Sequence, residues 1–117
     1  MFPPKLLGLV LLVLAVCGLS SLATATGGFT ATGTTTAQTT YADPNNVAAG
    51  TLHITTVTIH DGSGTVTLRE GVDYVVNNQD TSTAKVQFLP SRPAGVEVTI
   101  KGTTSDSGNY SWGITFS

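Results

Sequence analysis

From Leu52 to Phe116 the apolar residues recur at every second position, with no run at the three-to-four spacing of an amphipathic helix. A period of two sends successive side chains to opposite faces of an extended chain. Such a stretch buries its apolar residues only as β-strands with one covered face. Leu52 and Ile54 share a face, as do Val57 and Ile59, but the two pairs stand at odd spacing. Both pairs point inward only if one extra residue is absorbed at Thr55-Thr56, which predicts a β-bulge there and leaves His53 and His60 facing solvent.

Turn chemistry punctuates the rest. Asp61-Gly62-Ser63-Gly64 reads as a hairpin loop, after which Val66 and Leu68 are expected to point inward. Glu70-Gly71 breaks the chain before Val72, Tyr74 and Val76, and Asn77 to Ser82 is a polar loop. Ala84, Val86 and Phe88 alternate with Lys85 and Gln87 up to Pro90, where the missing N–H is expected to end the strand. Val96, Val98 and Ile100 form the next strand, Gly102 to Gly108 a loop, and Tyr110, Trp112, Ile114 and Phe116 the last strand. That makes six strands in 51–117 and predicts an all-β fold, a small antiparallel sandwich or barrel. The inward set supports one core, to which a strand from the preceding segment, in cis or in trans, adds a seventh member.

The N-terminal half of the chain is of two other kinds. Residues 1–25 carry one basic residue, Lys5, then the apolar run Leu6 to Leu19 and the small-residue site Ala23-Thr24-Ala25. That is the layout of a helical hydrophobic leader of the secretory type, with cleavage expected after Ala25. Retention as a membrane anchor is the rival. The lipoprotein alternative is disfavoured because the bulky Val16 precedes Cys17, the one cysteine in the chain. Residues 26–50 are rich in Thr and Gly, both poor helix formers. They read either as a flexible stalk or as an extended arm that adds a strand to a neighbouring subunit, with Phe29 as the anchor and Thr30, Thr32, Thr34 and Thr36 along it. Asp43-Pro44-Asn45-Asn46 reads as a turn.

Charge excludes several functions. Five Lys and Arg against seven Asp and Glu leave a net charge of −2, too few cations for a nucleic-acid surface. No nucleophile elbow or phosphate loop occurs, and a chain cleaved after Ala25 has no thiol, so no enzyme activity is expected. His53 and His60 are too far apart on one strand to share a metal. The loop carboxylates Asp61, Asp80 and Asp106, each near Ser or Asn oxygens, are the weak calcium candidates; otherwise no cofactor is expected. Asn109-Tyr110-Ser111 is a glycosylation sequon, with Asn109 as the acceptor.

The runs Leu68-Arg69-Glu70-Gly71-Val72-Asp73-Tyr74-Val75-Val76, Lys85-Val86-Gln87-Phe88-Leu89-Pro90 and Ala94-Gly95-Val96-Glu97-Val98-Thr99-Ile100 together resemble a strand module of microbial surface and phage structural proteins. The resemblance implies an Ig-like β-sandwich without chemistry of its own. The leader and Thr-rich arm are similar in layout to secreted filament subunits that donate an N-terminal strand. The expectation is therefore an extracellular or cell-surface structural subunit that assembles with copies of itself into a filament or layer. A membrane contact arises only through an uncleaved leader. The alternatives are a small adhesin or glycan-binding module, with Tyr41 or loop aromatics stacking on sugar, and a membrane-anchored virion protein.

Overall fold

The computed structural model describes residues 27–47 and 50–117. The expected leader, with Cys17 and the cleavage site, lies outside the described residues. The described chain is all-β. Eight strands follow in order: β1 (Gly27–Thr34), β2 (Thr39–Pro44), β3 (Leu52–Asp61), β4 (Gly64–Thr67), β5 (Tyr74–Asn77), β6 (Lys85–Arg92), β7 (Glu97–Thr104) and β8 (Asn109–Phe116). They form one curled sheet in the order β4-β3-β7-β1-β8-β2-β6-β5. The sheet is mixed rather than wholly antiparallel, because β1 runs parallel to β8. The six strands expected after residue 51 are present. The segment 26–50 contributes two more strands, both interior members of the sheet, so the packing has no boundary at residue 50.

The alternation accounts for the core. Leu52, Ile54, Val57 and Ile59 are all buried, while His53 and His60 are exposed. The β3–β7 register slips between Ile54 and Thr56, so the extra residue sits at the expected bulge. One inward cluster unites Phe29 and Ala31 of β1, Val98 and Ile100 of β7 and Trp112 of β8 with Ala42, Tyr74, Val86 and Phe88 from the other half. The halves meet at β8, whose Asn109–Gly113 segment pairs with β1 and whose Ile114–Phe116 segment pairs with β2.

Three expectations change. Val66 has the inward phase but is 54% exposed. It lies on the four-residue edge strand β4, which has a neighbour on one side only, and the core does not extend beneath it. Pro90 does not end its strand, since β6 runs to Arg92. The β2–β6 pairing is already irregular between Thr39–Arg92 and Tyr41–Gln87, so no regular ladder needs a Pro90 N–H. Pro44 is the last residue of β2, opposite Ile114, and the turn follows it, with the Asn46 N–H donating to the Pro44 carbonyl at 2.8 Å.

Both sheet edges are only four residues long. The part of β3 that β4 does not cover is capped by the loop after β5. The Gln79 amide accepts from the Ile54 N–H (2.8 Å) and donates to the Ile54 carbonyl (2.9 Å). The Asp80 N–H donates to the Leu52 carbonyl at 2.9 Å, and the Leu52 N–H donates to the Thr81 carbonyl at 3.0 Å. Short, capped edges discourage pairing of sheets edge to edge.

Candidate functional site

β7 and β8 are antiparallel strands joined by the short loop 105–108, the ordinary makings of a hairpin. They do not pair. β1 stands between them, antiparallel to β7 along its whole length, Gly27 opposite Thr104 to Thr34 opposite Glu97. On its other side β1 is parallel to β8, Gly28 opposite Asn109 to Thr32 opposite Gly113. The N-terminal strand thus fills a split hairpin and supplies the backbone partners of both rims.

The side chains of β1 fit that slot by size. Phe29 is buried at the loop end, where its ring stacks on Trp112 with centroids 5.1 Å apart, and the Tyr110 ring stacks on Trp112 as well, at 5.2 Å. Ala31 is fully buried between Ile100 and Trp112. At Gly33 a Cβ would stand 3.0 Å from the Phe116 ring, so only glycine passes beneath it without displacing that side chain. The inward face of β1 therefore tapers from Phe through Ala to Gly. Thr30, Thr32 and Thr34 lie on the opposite, outward face, and Thr36 is exposed in the link to β2.

The loop that spans the split is built from its own side chains. The Asp106 carboxylate accepts from the Gly108 N–H (2.9 Å), the Thr104 hydroxyl (3.2 Å) and the Tyr110 hydroxyl (3.0 Å). The Gly108 N–H foremost, with the two hydroxyls, holds the Asp106 carboxyl below its ordinary value against an opposing push from desolvation. The same hydrogen bond to Asp106 pushes the Tyr110 phenol up. β1 meets this loop through its backbone alone: the Gly27 N–H donates to the Asp106 carbonyl and the Gly28 N–H to the Gly108 carbonyl. A Cβ on Gly27 would collide with the Gly108 carbonyl oxygen, which fixes glycine at the strand's entry.

At its far end β1 is pinned by Thr35, a residue with no distinguishing sequence signal inside a run of threonines. Thr35 is 2% exposed. Its N–H donates to the Val96 carbonyl (2.9 Å) and its carbonyl accepts from the Gly95 N–H (2.8 Å). Its hydroxyl donates to the Pro93 carbonyl (2.7 Å) and accepts from the Val96 N–H (3.0 Å). Residues 36–38 are exposed, and Thr39 is buried again at the start of β2.

The other candidates are dispersed. Asp61 serves the β3–β4 turn, where the Ser63 hydroxyl and N–H donate to it at 2.6 and 2.8 Å and hold its carboxyl below the ordinary range. Asp80 pairs with the exposed His53 at 2.7 Å. Asp61 and Asp106 sit at opposite ends of the sheet, the length of β3 apart, roughly 30 Å at ~3.3 Å per residue. Asp61 is therefore remote from the Asp106 loop, and no group of three or more His, Cys, Asp and Glu side chains gathers among the described residues. Tyr41 already carries the Lys85 ammonium over its ring, 4.7 Å from the centroid. Asn109 is exposed at the start of β8 and Ser111 lies on the same outward face two residues on. An open groove of about 520 Å3 runs beside them, past Gly28, Thr30, Lys101 and Thr103.

Comparison with protein-family models, curated proteins and solved structures gives no match to this chain.

Proposed function

We propose that this chain is an exported structural subunit that assembles with copies of itself by strand exchange, β1 of one copy occupying the split β7–β8 hairpin of the next. The split hairpin is the observation that carries the reading. Two strands with a short connecting loop are natural partners, yet both rims spend their hydrogen bonds on a strand from the other end of the chain. A strand held by backbone pairing and one aromatic anchor is equally at home in the same slot of an identical neighbour. The expected cleavage after Ala25 would leave a free chain end just ahead of Gly27, which such an exchange needs. Head-to-tail exchange whose rotation does not close a ring propagates as a filament.

In this reading the curled sheet is an Ig-like sandwich. β4, β3, β7, β1 and the first half of β8 form one layer, and the end of β8 with β2, β6 and β5 forms the other. The chain acts extracellularly and without catalysis. The test is electron microscopy of the purified protein starting at Thr26, beside a variant lacking Gly27–Thr34. Filaments from the first and none from the second are expected. Identical filaments from both, or a monomer at every concentration of the intact protein, would overturn the reading.

A further inference from the structure

The two rims of the split hairpin are matched to each other as well as to β1. Reading across the slot, Thr99 stands opposite Thr32 and Thr32 opposite Gly113. Lys101 likewise faces Ser111 across Thr30, Ile100 faces Trp112 across Ala31, and Gly102 faces Tyr110 across Phe29. Removing β1 and bringing the rims together in that register would set outward residues beside outward residues and inward beside inward. No side chain would change face, which is the condition a strand register must meet.

The backbone agrees. In an antiparallel pair, opposite residues aim their N–H and C=O groups both at or both away from each other; in a parallel pair, a residue aimed at its partner strand bonds the two residues flanking its opposite number. A β1 residue aimed at β7 therefore has its β7 partner aimed into the slot. The aligned β8 residue, whose opposite number on β1 points away, is aimed into the slot as well. Each such β7–β8 pair meets as a hydrogen-bonded antiparallel pair once β1 is gone. The loop already has hairpin dimensions, and the bonds from Gly108, Thr104 and Tyr110 to Asp106 do not involve β1.

We propose that the β7–β8 hairpin is a two-state receptor: without β1 its arms pair directly, Thr99 opposite Gly113 and Lys101 opposite Ser111, and a β1 strand reopens it. The vacant subunit is then not an open groove of unpaired N–H and C=O groups, which would invite indiscriminate pairing. It is a shut hairpin that yields to a strand carrying an aromatic anchor for the Trp112 face. The two states rest on the observed registers alone; the identity of the incoming strand as a second copy's β1 rests on the assembly reading above.

The test uses cysteine pairs. With β1 in place Thr99 and Gly113 are two strand spacings apart, roughly 9.5 Å, beyond the ~7 Å that a disulfide tolerates. In the shut hairpin they are direct neighbours. A chain starting at Thr26, lacking Gly27–Thr34 and carrying Thr99→Cys and Gly113→Cys, is expected to form the internal disulfide under mild oxidation. In the chain that also starts at Thr26 but keeps β1, the full-length chain of this test, the pair stays free to alkylation, and a synthetic Gly27–Thr34 peptide added before oxidation protects the truncated pair. Should the truncated chain not fold, full-length chain with Phe29→Ala and the same cysteines is expected to oxidise at least tenfold faster than with Phe29 present. A folded truncated chain whose thiols stay free, or a full-length chain that oxidises at the same rate with and without Phe29, would overturn the proposal. Trapping of the shut hairpin in a protein that never forms filaments would overturn the assembly reading and leave this one standing. Filaments without trapping would do the reverse.

Discussion

The chain contains two hairpin sequences of the same kind and folds them in opposite ways. β3 and β4 meet through Asp61-Gly62-Ser63-Gly64 and pair directly, from Asp61 opposite Gly64 to Thr58 opposite Thr67. β7 and β8 meet through a loop only a little longer and are held apart by β1. Local turn chemistry is satisfied in both: the Asp61 carboxylate ties Ser63 and the Asp106 carboxylate ties Gly108. What separates them is what lies inward. The β4 arm offers the exposed Val66, whereas the β7 and β8 arms offer Ile100 and Trp112, with room between for Phe29 and Ala31. Inserting a third strand into a hairpin is favoured where it buries apolar side chains between the arms, and Phe29 and Ala31 are buried between β7 and β8.

Substitutions on the two hairpins should therefore differ most at their inward positions. Trp112→Ala removes a side chain stacked on both Phe29 and Tyr110, and should lower unfolding stability by ~3–5 kcal/mol in a urea titration. A loss under ~1 kcal/mol would mean that the aromatic stack does not hold β1. Next comes the far end of the guest strand, around Gly33 and Thr35. Thr35→Val keeps the shape but leaves the buried Val96 N–H and the Pro93 carbonyl without the hydroxyl that joins them, at a cost of ~1–3 kcal/mol. Gly33→Ala makes the partly buried Phe116 ring give by a few tenths of an ångström and should cost less, under ~1 kcal/mol, with the shift visible in the ring's NMR resonances.

The loop carboxylates give a smaller, pH-dependent effect. Asp106 and Asp61 both have folded-state values depressed below the ordinary 3.8, so the stability they contribute is full above that value. It is lost as pH falls through their folded values. Asp106→Asn should flatten the acid limb of the stability profile. If Tyr110 titrates high because of Asp106, the same substitution should bring the phenol down toward its ordinary 10.0 in a spectrophotometric titration. An unmoved phenol would break that link. The smallest effect belongs to the closed hairpin, where Val66→Ala should stay within ~0.5 kcal/mol of the parent.

How far the fold could be read from the sequence follows from which forces write themselves into it. Side-chain phase is a one-dimensional signal, so the strands from β3 to β8 and the bulge at Thr55 follow from alternation alone. Burial depth at an edge is not, so Val66 carries an inward phase without an inward environment. Backbone pairing leaves no side-chain mark. Gly27 to Thr34 reads as strand-prone and polar, with nothing to say that its neighbours would be β7 on one side and β8 on the other. Phe29 stands out as the lone aromatic of a Thr-rich run, and it is the residue of β1 that is buried against Trp112. Thr35, indistinguishable from the threonines beside it, does not stand out.

The central claim is that β1 occupies the split hairpin of another copy as readily as its own. Thr32 of β1 and Thr99 of β7 are directly opposite across that contact. A chain starting at Thr26 and carrying both Thr32→Cys and Thr99→Cys has no other thiol. Oxidised at assembly concentrations and run on a denaturing, non-reducing gel, it should give a ladder of covalent oligomers that collapses to monomer on reduction. A single band of internally bridged monomer at every concentration would contradict the account and leave β1 as a strand of its own subunit only.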